Sequence, residues 1–189
     1  MSDCVPLILE QLARREHLLI AAAKGYAPAV NGLPSKLGAI QAASHALRSA
    51  GIPHALIGGL AVGIRTGVPR ATLDVDFAVP SSADRPGLVA LLVSADFVFI
   101  GEFPHSINFK HASGEPLQLA FDPGFDDMIS RAEPLEWDGV TIDVVTRDDL
   151  LQMTRRAAAD PARRRSKALR DQADIALLEG DVPEEGEGW

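Results

Sequence analysis

Apolar positions along this chain recur with two different periods, and the switches between them outline the fold. Residues 4–24 read as an amphipathic helix, closed by Gly25 and the Pro28, Gly32, Pro34 cluster. A second helix is predicted from about Ser35, because Leu37, Ile40, Ala43 and Leu47 recur at helical spacing and Gly51 ends the run. A short apolar run over 53–57 leads into Gly58-Gly59 and a short helical stretch, Leu60 to Arg65. Residues 72–79 alternate and predict a strand, with Leu73, Val75 and Phe77 on one face and Asp74 and Asp76 on the other. A helix over about 84–94, with Ser82 and Asp84 as capping candidates, precedes strand candidates at 97–101, 106–111, 116–121 and 140–145. Two helices, about 147–159 and 162–179, complete the pattern. This order predicts an α/β (α+β) protein: a small mixed sheet with packed helices and a C-terminal helical segment. The expected division is 1–34 as N-terminal helix and loop, 35–145 as core, and 146–189 as C-terminal helices with an acidic tail.

Composition narrows the classes without choosing among them. At 189 residues, 47% hydrophobic and 23% charged, the chain has ordinary globular values. The single cysteine, Cys4, excludes an internal disulfide and a cysteine-based zinc site. No signal peptide is visible, since Glu10, Arg14, Arg15 and Glu16 break the first apolar stretch, and runs such as Leu88 to Val93 are too short to span a bilayer. The expectation is a cytoplasmic protein with no membrane partner. The net charge of −8 argues against a nucleic-acid partner, but its distribution is uneven. Between Arg155 and Arg170 six arginines and one lysine face one acid, Asp160, giving +6, either a solvated helix face or a footprint for phosphates.

The chemistry concentrates in His54-Ala-Leu-Ile-Gly-Gly-Leu-Ala-Val-Gly and Arg70-Ala-Thr-Leu-Asp-Val-Asp-Phe-Ala-Val. Two carboxylates on one strand face repel when ionised, a divalent cation relieves that repulsion, and oxygen-only ligands suit Mg2+. A Gly-Gly turn opening into a helix brings backbone N–H groups close to a triphosphate, and Arg65 and Arg70 are near in sequence to meet the same phosphates. Alone, an Asp-x-Asp is usually a solvated strand face and a Gly-Gly usually a turn. The combination, with residues 60–73 between the two motifs, is more specific. His54, His105 and His111 have no second ligand at metal-site spacing and read as packing or surface residues.

This pattern resembles the signature of nucleotidyltransferases of the DNA polymerase beta superfamily. Arg70, Thr72, Asp74 and Asp76 are similar to the Arg-x-Thr-x-Asp-x-Asp run of AbiEii-type toxins and related minimal nucleotidyltransferases. Val144-Val-Thr-Arg-Asp-Asp-Leu-Leu and Arg170-Asp-Gln-Ala-Asp-Ile resemble the family's later motifs, so the resemblance spans roughly 36–178. It implies that Asp74 and Asp76 bind Mg2+ and that Gly58, Gly59, Arg65, Arg70, Thr72, Arg155 and Arg170 contact an NTP such as ATP. It also implies transfer of an NMP, with a tRNA 3′ end as the first acceptor candidate and an antitoxin protein as partner. A small molecule or a protein is the alternative acceptor. Asp171 and Asp174 read either as site residues or as ordinary helix pairs, Lys167 with Asp171 and Arg170 with Asp174. Two departures stand out. Gln118 occupies the place of the family's third carboxylate, which Asp122, of the same strand parity, is expected to supply; Asp143 has a similar local pattern on a different strand. A lysine usual in the following helix is replaced by Thr154 or Arg155. Gln118 favours a further alternative, a non-catalytic nucleotide-binding module.

Overall fold

A computed structural model of the chain describes residues 36–68, 70, 72–137 and 140–182. The expected helix over 4–24 and residues 183–189 of the acidic tail lie outside these. In chain order the elements are α1 (Lys36–Ser49), β1 (Ala55–Ile57), α2 (Gly58–Thr66), β2 (Val75–Val79), α3 (Arg85–Ser94), β3 (Phe97–Phe103), β4 (Ser106–His111) and β5 (Pro116–Phe121). There follow α4 (Pro123–Ser130), β6 (Glu133–Trp137), β7 (Val140–Val144), α5 (Arg147–Ala158) and α6 (Arg165–Glu179).

The seven strands form one mixed sheet in the order β3-β4-β5-β2-β1-β7-β6. Strand β2 is central, antiparallel to β1 and parallel to β5. Its alternation sends Val75, Phe77 and Val79 into a fully buried layer with Leu117, Leu119, Ile107 and Phe109. Helix α1 lays Ile40, Ala43 and Leu47 against this core. His54 packs here too: its ring meets Phe77 edge-on at 5.6 Å and bonds Ser44 Oγ (3.0 Å) and the Ile52 carbonyl (2.9 Å). Burial lowers its pKa, as befits a neutral core histidine.

The opposite face of the sheet carries Asp76, Gln118 and Asn108 side by side, because Asp76 pairs with Gln118 and Gln118 with Asn108. Across this face α5 and α6 pack together and against α2. Capping fixes the helix starts. Thr146 Oγ1 accepts from the Asp149 amide at 3.2 Å to open α5. Asp122 accepts from the Gly124 amide at 2.8 Å to open α4, with Pro123 at the first helical position.

Two elements, α4 and β6, were not expected from the pattern. Pro123-Gly124 reads as a turn yet starts a helix. Strand β6 is an edge strand with a largely exposed Glu133-Pro-Leu-Glu segment and no apolar stripe. The strand predicted over 72–79 begins only at Val75. Leu73 is therefore 67% exposed instead of facing the core with Val75, and Asp74 sits on the entry to the strand. Among the described residues no helix is long and apolar enough to cross a membrane.

Candidate functional site

The glycine pair forms the corner where β1 turns into α2. Gly58 has φ +69°, a left-handed conformation that costs a side-chain-bearing residue, and a Cβ there would collide with Asp76 Oδ2. A Cβ on Gly59 would lie 2.5 Å from Arg70 Nη1 and 3.0 Å from Thr72 Cβ. Both glycines are thus required by close approach, and the groups that approach them are the protein's own. Ile57 lies opposite Asp76 across the β1–β2 ladder, so the strand pairing itself brings Asp76 to the corner, while Asp74 precedes the strand, is exposed and does not line the cleft.

Asp76 is partly buried and Asp74 exposed. Burial first, and then the charge of Asp74, push the Asp76 carboxyl up to about 7; Arg70, Lys167 and Lys36 oppose that rise. Burial and the neighbouring charge thus disfavour the ionised form of Asp76. Two oxygen ligands with room for water fit Mg2+, which keeps several waters and needs few carboxylates. No group of three or more His, Cys, Asp or Glu suited to a metal occurs among the described residues; Asp76, with Asp74 at the strand entry, is the carboxylate that could hold an ion at this corner.

Lys36 anchors the backbone just before Asp74. Its buried Nζ donates to the Leu73 carbonyl and to Glu115 Oε2, both at 2.7 Å, tying α1 to the entries of β2 and β5. Sequence reasoning missed this residue, because a lysine opening a helix carries no local signal of burial.

The cleft above the corner has a volume of about 310 Å3 and is lined by Gly58, Gly59, Arg70, Thr72 and Asp76 from the sheet side. Thr154 of α5 and Lys167, Arg170, Asp171 and Asp174 of α6 line the other side, with Phe125, Met153 and Arg163 also on its wall. Asp174 is buried and grips Arg70 with both oxygens, Nε to Oδ1 at 2.5 Å and Nη2 to Oδ2 at 2.8 Å. Asp171, also buried, holds Arg163 in the same way at 2.7 and 2.9 Å. These two acids therefore pair across the tertiary structure, with Arg70 and Arg163, instead of with their helix neighbours Arg170 and Lys167. Lys167 and Arg170 stay exposed at the mouth of the cleft.

Other expected residues lie elsewhere. Arg65 donates to the Val145 and Val144 carbonyls (2.8 and 2.6 Å) and to Glu133 (2.6 Å), fastening α2 to β7 and β6 outside the cleft. Arg155 pairs with Glu179 at 2.5 Å. Strand β5 ends at Phe121, so Asp122 does not continue its alternation; it caps α4 and lies 3.5 Å from Arg156. Asp143 bonds Arg48 at 2.6 Å. Gln118, by contrast, is the residue directly beside Asp76 on the neighbouring strand.

No protein-family model matches the chain, and no curated protein matches it in sequence. Solved structures do resemble it. An antigenic nucleotidyltransferase-like protein from Paracoccidioides brasiliensis is 23% identical, with 79% of this chain and 78% of that one covered and a TM-score of 0.55. ANT(2″)-Ia in complex with adenylyl-2″-tobramycin is 17% identical over 77% of this chain and 90% of that one, with a TM-score of 0.53. The lincosamide antibiotic adenylyltransferase LnuA, lincomycin-bound, is 14% identical over 72% and 91%, with a TM-score of 0.50. The chain has the fold of the nucleotidyltransferase-like proteins.

Proposed function

We propose that this protein is a Mg2+-dependent nucleotidyltransferase. A hydroxyl oxygen of the acceptor bonds to the α-phosphorus of an NTP, the bond from that phosphorus to the bridging β-oxygen breaks, and pyrophosphate leaves with the electron pair. The acceptor proton passes to solvent. Residues 35–145 form the nucleotidyltransferase core and 146–189 the appendage whose helices wall the cleft. The observation that carries the reading is the convergence of Asp76, Arg70 and Thr72 on the Gly58-Gly59 corner, with Asp74 at the strand entry beside them. The bound ion would supply charge neutralisation between Asp74, Asp76 and the phosphates. The chain supplies position: backbone at the corner, Arg70 held in place by Asp174, and Lys167 and Arg170 at the mouth.

Gln118 cannot take up a proton, so the site lacks a base beside Asp76 and most of its rate must come from positioning and charge. A non-catalytic nucleotide-binding module is the reading this residue favours. Mg2+-dependent pyrophosphate release, lost in Asp74→Ala and Asp76→Ala, is the expected result. Nucleotide binding with no release would favour the module.

For the acceptor, the structure weakens the sequence argument for tRNA. Three arginines of the basic run are engaged by acids: Arg155 by Glu179, Arg156 by Asp122 and Arg163 by Asp171. Two of the solved structures described above carry adenylyl-2″-tobramycin and lincomycin, which supports a small hydroxyl-bearing molecule as the preferred acceptor. Arg164, Arg165, Lys167 and Arg170 remain exposed and keep a second reading, a tRNA 3′ end with an antitoxin partner, worth one assay. Transfer to total tRNA that weakens steeply with salt would establish it; labelling of small hydroxylated compounds instead would establish the first.

A further inference from the structure

The two acids of the Asp-x-Asp motif are held in different ways. Asp76 lies within two strand ladders, opposite Ile57 of β1 and Gln118 of β5, so pairing on both sides fixes its backbone. Asp74 precedes the first pair of either ladder, since β2 meets β5 first at Val75 with Leu117. Within its own loop the Thr72 hydroxyl meets the Asp74 carbonyl only at 3.4 Å, a weak contact. Asp74 is nevertheless near enough for its charge to act on the Asp76 carboxyl. We propose that Lys36 is a positioning residue of the metal site: by gripping the Leu73 carbonyl it fixes where Asp74 stands beside Asp76. This rests on the reading of these two acids as Mg2+ ligands.

Two features make a lysine unfavourable at position 36. Its side chain is only 5% exposed, and an ammonium taken out of water is destabilising unless it is paired and hydrogen-bonded. It also opens α1, where the helix dipole disfavours a cation and no acid stands in the first turn to offset it. For folding alone, well-packed apolar residues would serve as well as a buried ion pair. The geometry points to a second use. The Nζ of Lys36 donates to the Leu73 carbonyl and to Glu115 Oε2, both at 2.7 Å, and Glu115 immediately precedes β5. Glu115 thus holds the ammonium at the start of the neighbouring strand, and the ammonium holds the residue before Asp74. Leu73 itself is 67% exposed, so its side chain does not anchor the segment in the core. The ladders place one acid, and a contact from α1 places the other.

Mn2+ can stand in for Mg2+, and the loss of its free-ion EPR signal at pH 8 reads binding without turnover. Lys36→Met is expected to weaken Mn2+ binding by about 10- to 100-fold, as does loss of a group that orients a metal ligand. Asp74→Ala should weaken it at least as much. The double variant should bind no more weakly than Asp74→Ala alone, because both changes act through the same ligand. Glu115→Gln removes the ion pair but leaves the bond to Leu73, and its Mn2+ affinity should stay close to that of the wild type. Lys36→Met or Asp74→Ala binding Mn2+ like the wild type, additive losses in the double variant, or a loss in Glu115→Gln equal to that in Lys36→Met would each overturn the assignment. If Lys36→Met does not fold, Lys36→Gln is held to the same outcomes. A wild-type protein that binds no Mn2+, or Asp76→Ala that binds it undiminished, would instead overturn the metal reading on which the assignment stands.

Discussion

On the α6 side of the cleft two buried acids are matched within the chain, Asp174 holding Arg70 and Asp171 holding Arg163, each through two hydrogen bonds, while Lys167 and Arg170 stay exposed. On the sheet side the polar groups stand in a row with far less support. The Asp76 carboxyl is pushed up to about 7 by burial and by Asp74, Gln118 beside it is neutral, and Asn108 beyond has a buried oxygen with no hydrogen-bond partner among the described residues. The paired wall is complete without a ligand and sets the geometry. In the row, strain falls on the Asp76 carboxyl and on the buried Asn108 oxygen. A site that must bind a highly charged molecule is well served by this division, because a rigid wall costs nothing to reorganise when the ligand binds.

The comparison breaks first at Asp174. Asp174→Ala leaves the Arg70 guanidinium, only 18% exposed, without its carboxylate, and an unfolding midpoint in urea should report a loss of about 3 kcal/mol. A loss below about 1 kcal/mol would show that the paired wall is ornamental.

The sheet side is tested by pH. The folded carboxyl of Asp76 binds its proton up to about pH 7, whereas an unfolded Asp releases it near 3.8, so between these values the native state holds more protons. Stability therefore falls as pH rises from about 4 to about 7, by on the order of 2–3 kcal/mol once partial exposure is allowed for. Asp76→Asn should flatten that part of the profile, and saturating Mg2+ should offset the loss at pH 8. An unaltered profile in Asp76→Asn would place the titration elsewhere.

At the junction of the two walls, Gly58→Ala forces a side chain into the left-handed region and against Asp76, for an expected cost of about 1–3 kcal/mol in thermal unfolding. Gln118→Glu should have the smallest effect on stability, a loss of about 0.5–1 kcal/mol at pH 8 without Mg2+, from a further carboxylate beside Asp76. With Mg2+ present it should raise the rate of pyrophosphate release. No change in either measurement would mean that position 118 does not face the ion.

Much of this architecture was legible in the sequence, for identifiable reasons. The central strands announced themselves by alternation, and the Gly-Gly and Asp-x-Asp motifs are local patterns whose meeting follows from one β1–β2 pairing. The fold class followed from the order of elements. What local pattern cannot carry is partnership across the chain. Arg70 is 104 residues from Asp174, and nothing in either neighbourhood favours that pair over the helix spacing of Arg170 with Asp174. Lys36 was invisible for the same reason. Strand parity misled twice, at Leu73 and at Asp122, because alternation holds only while the strand lasts. Strand β2 starts after Asp74 and β5 stops before Asp122, whose cap on α4 ends the pattern.

The central claim is that Asp74, Asp76 and the Gly58-Gly59 corner together hold a metal-bound triphosphate. A crystal structure with Mg2+ and a non-hydrolysable NTP analogue tests it most directly. The expected result is an ion about 2.0–2.1 Å from carboxylate oxygens of Asp74 and Asp76, with the phosphates against the backbone of Gly58 and Gly59. A nucleotide bound away from that corner, or an ion that touches neither acid, would contradict the account.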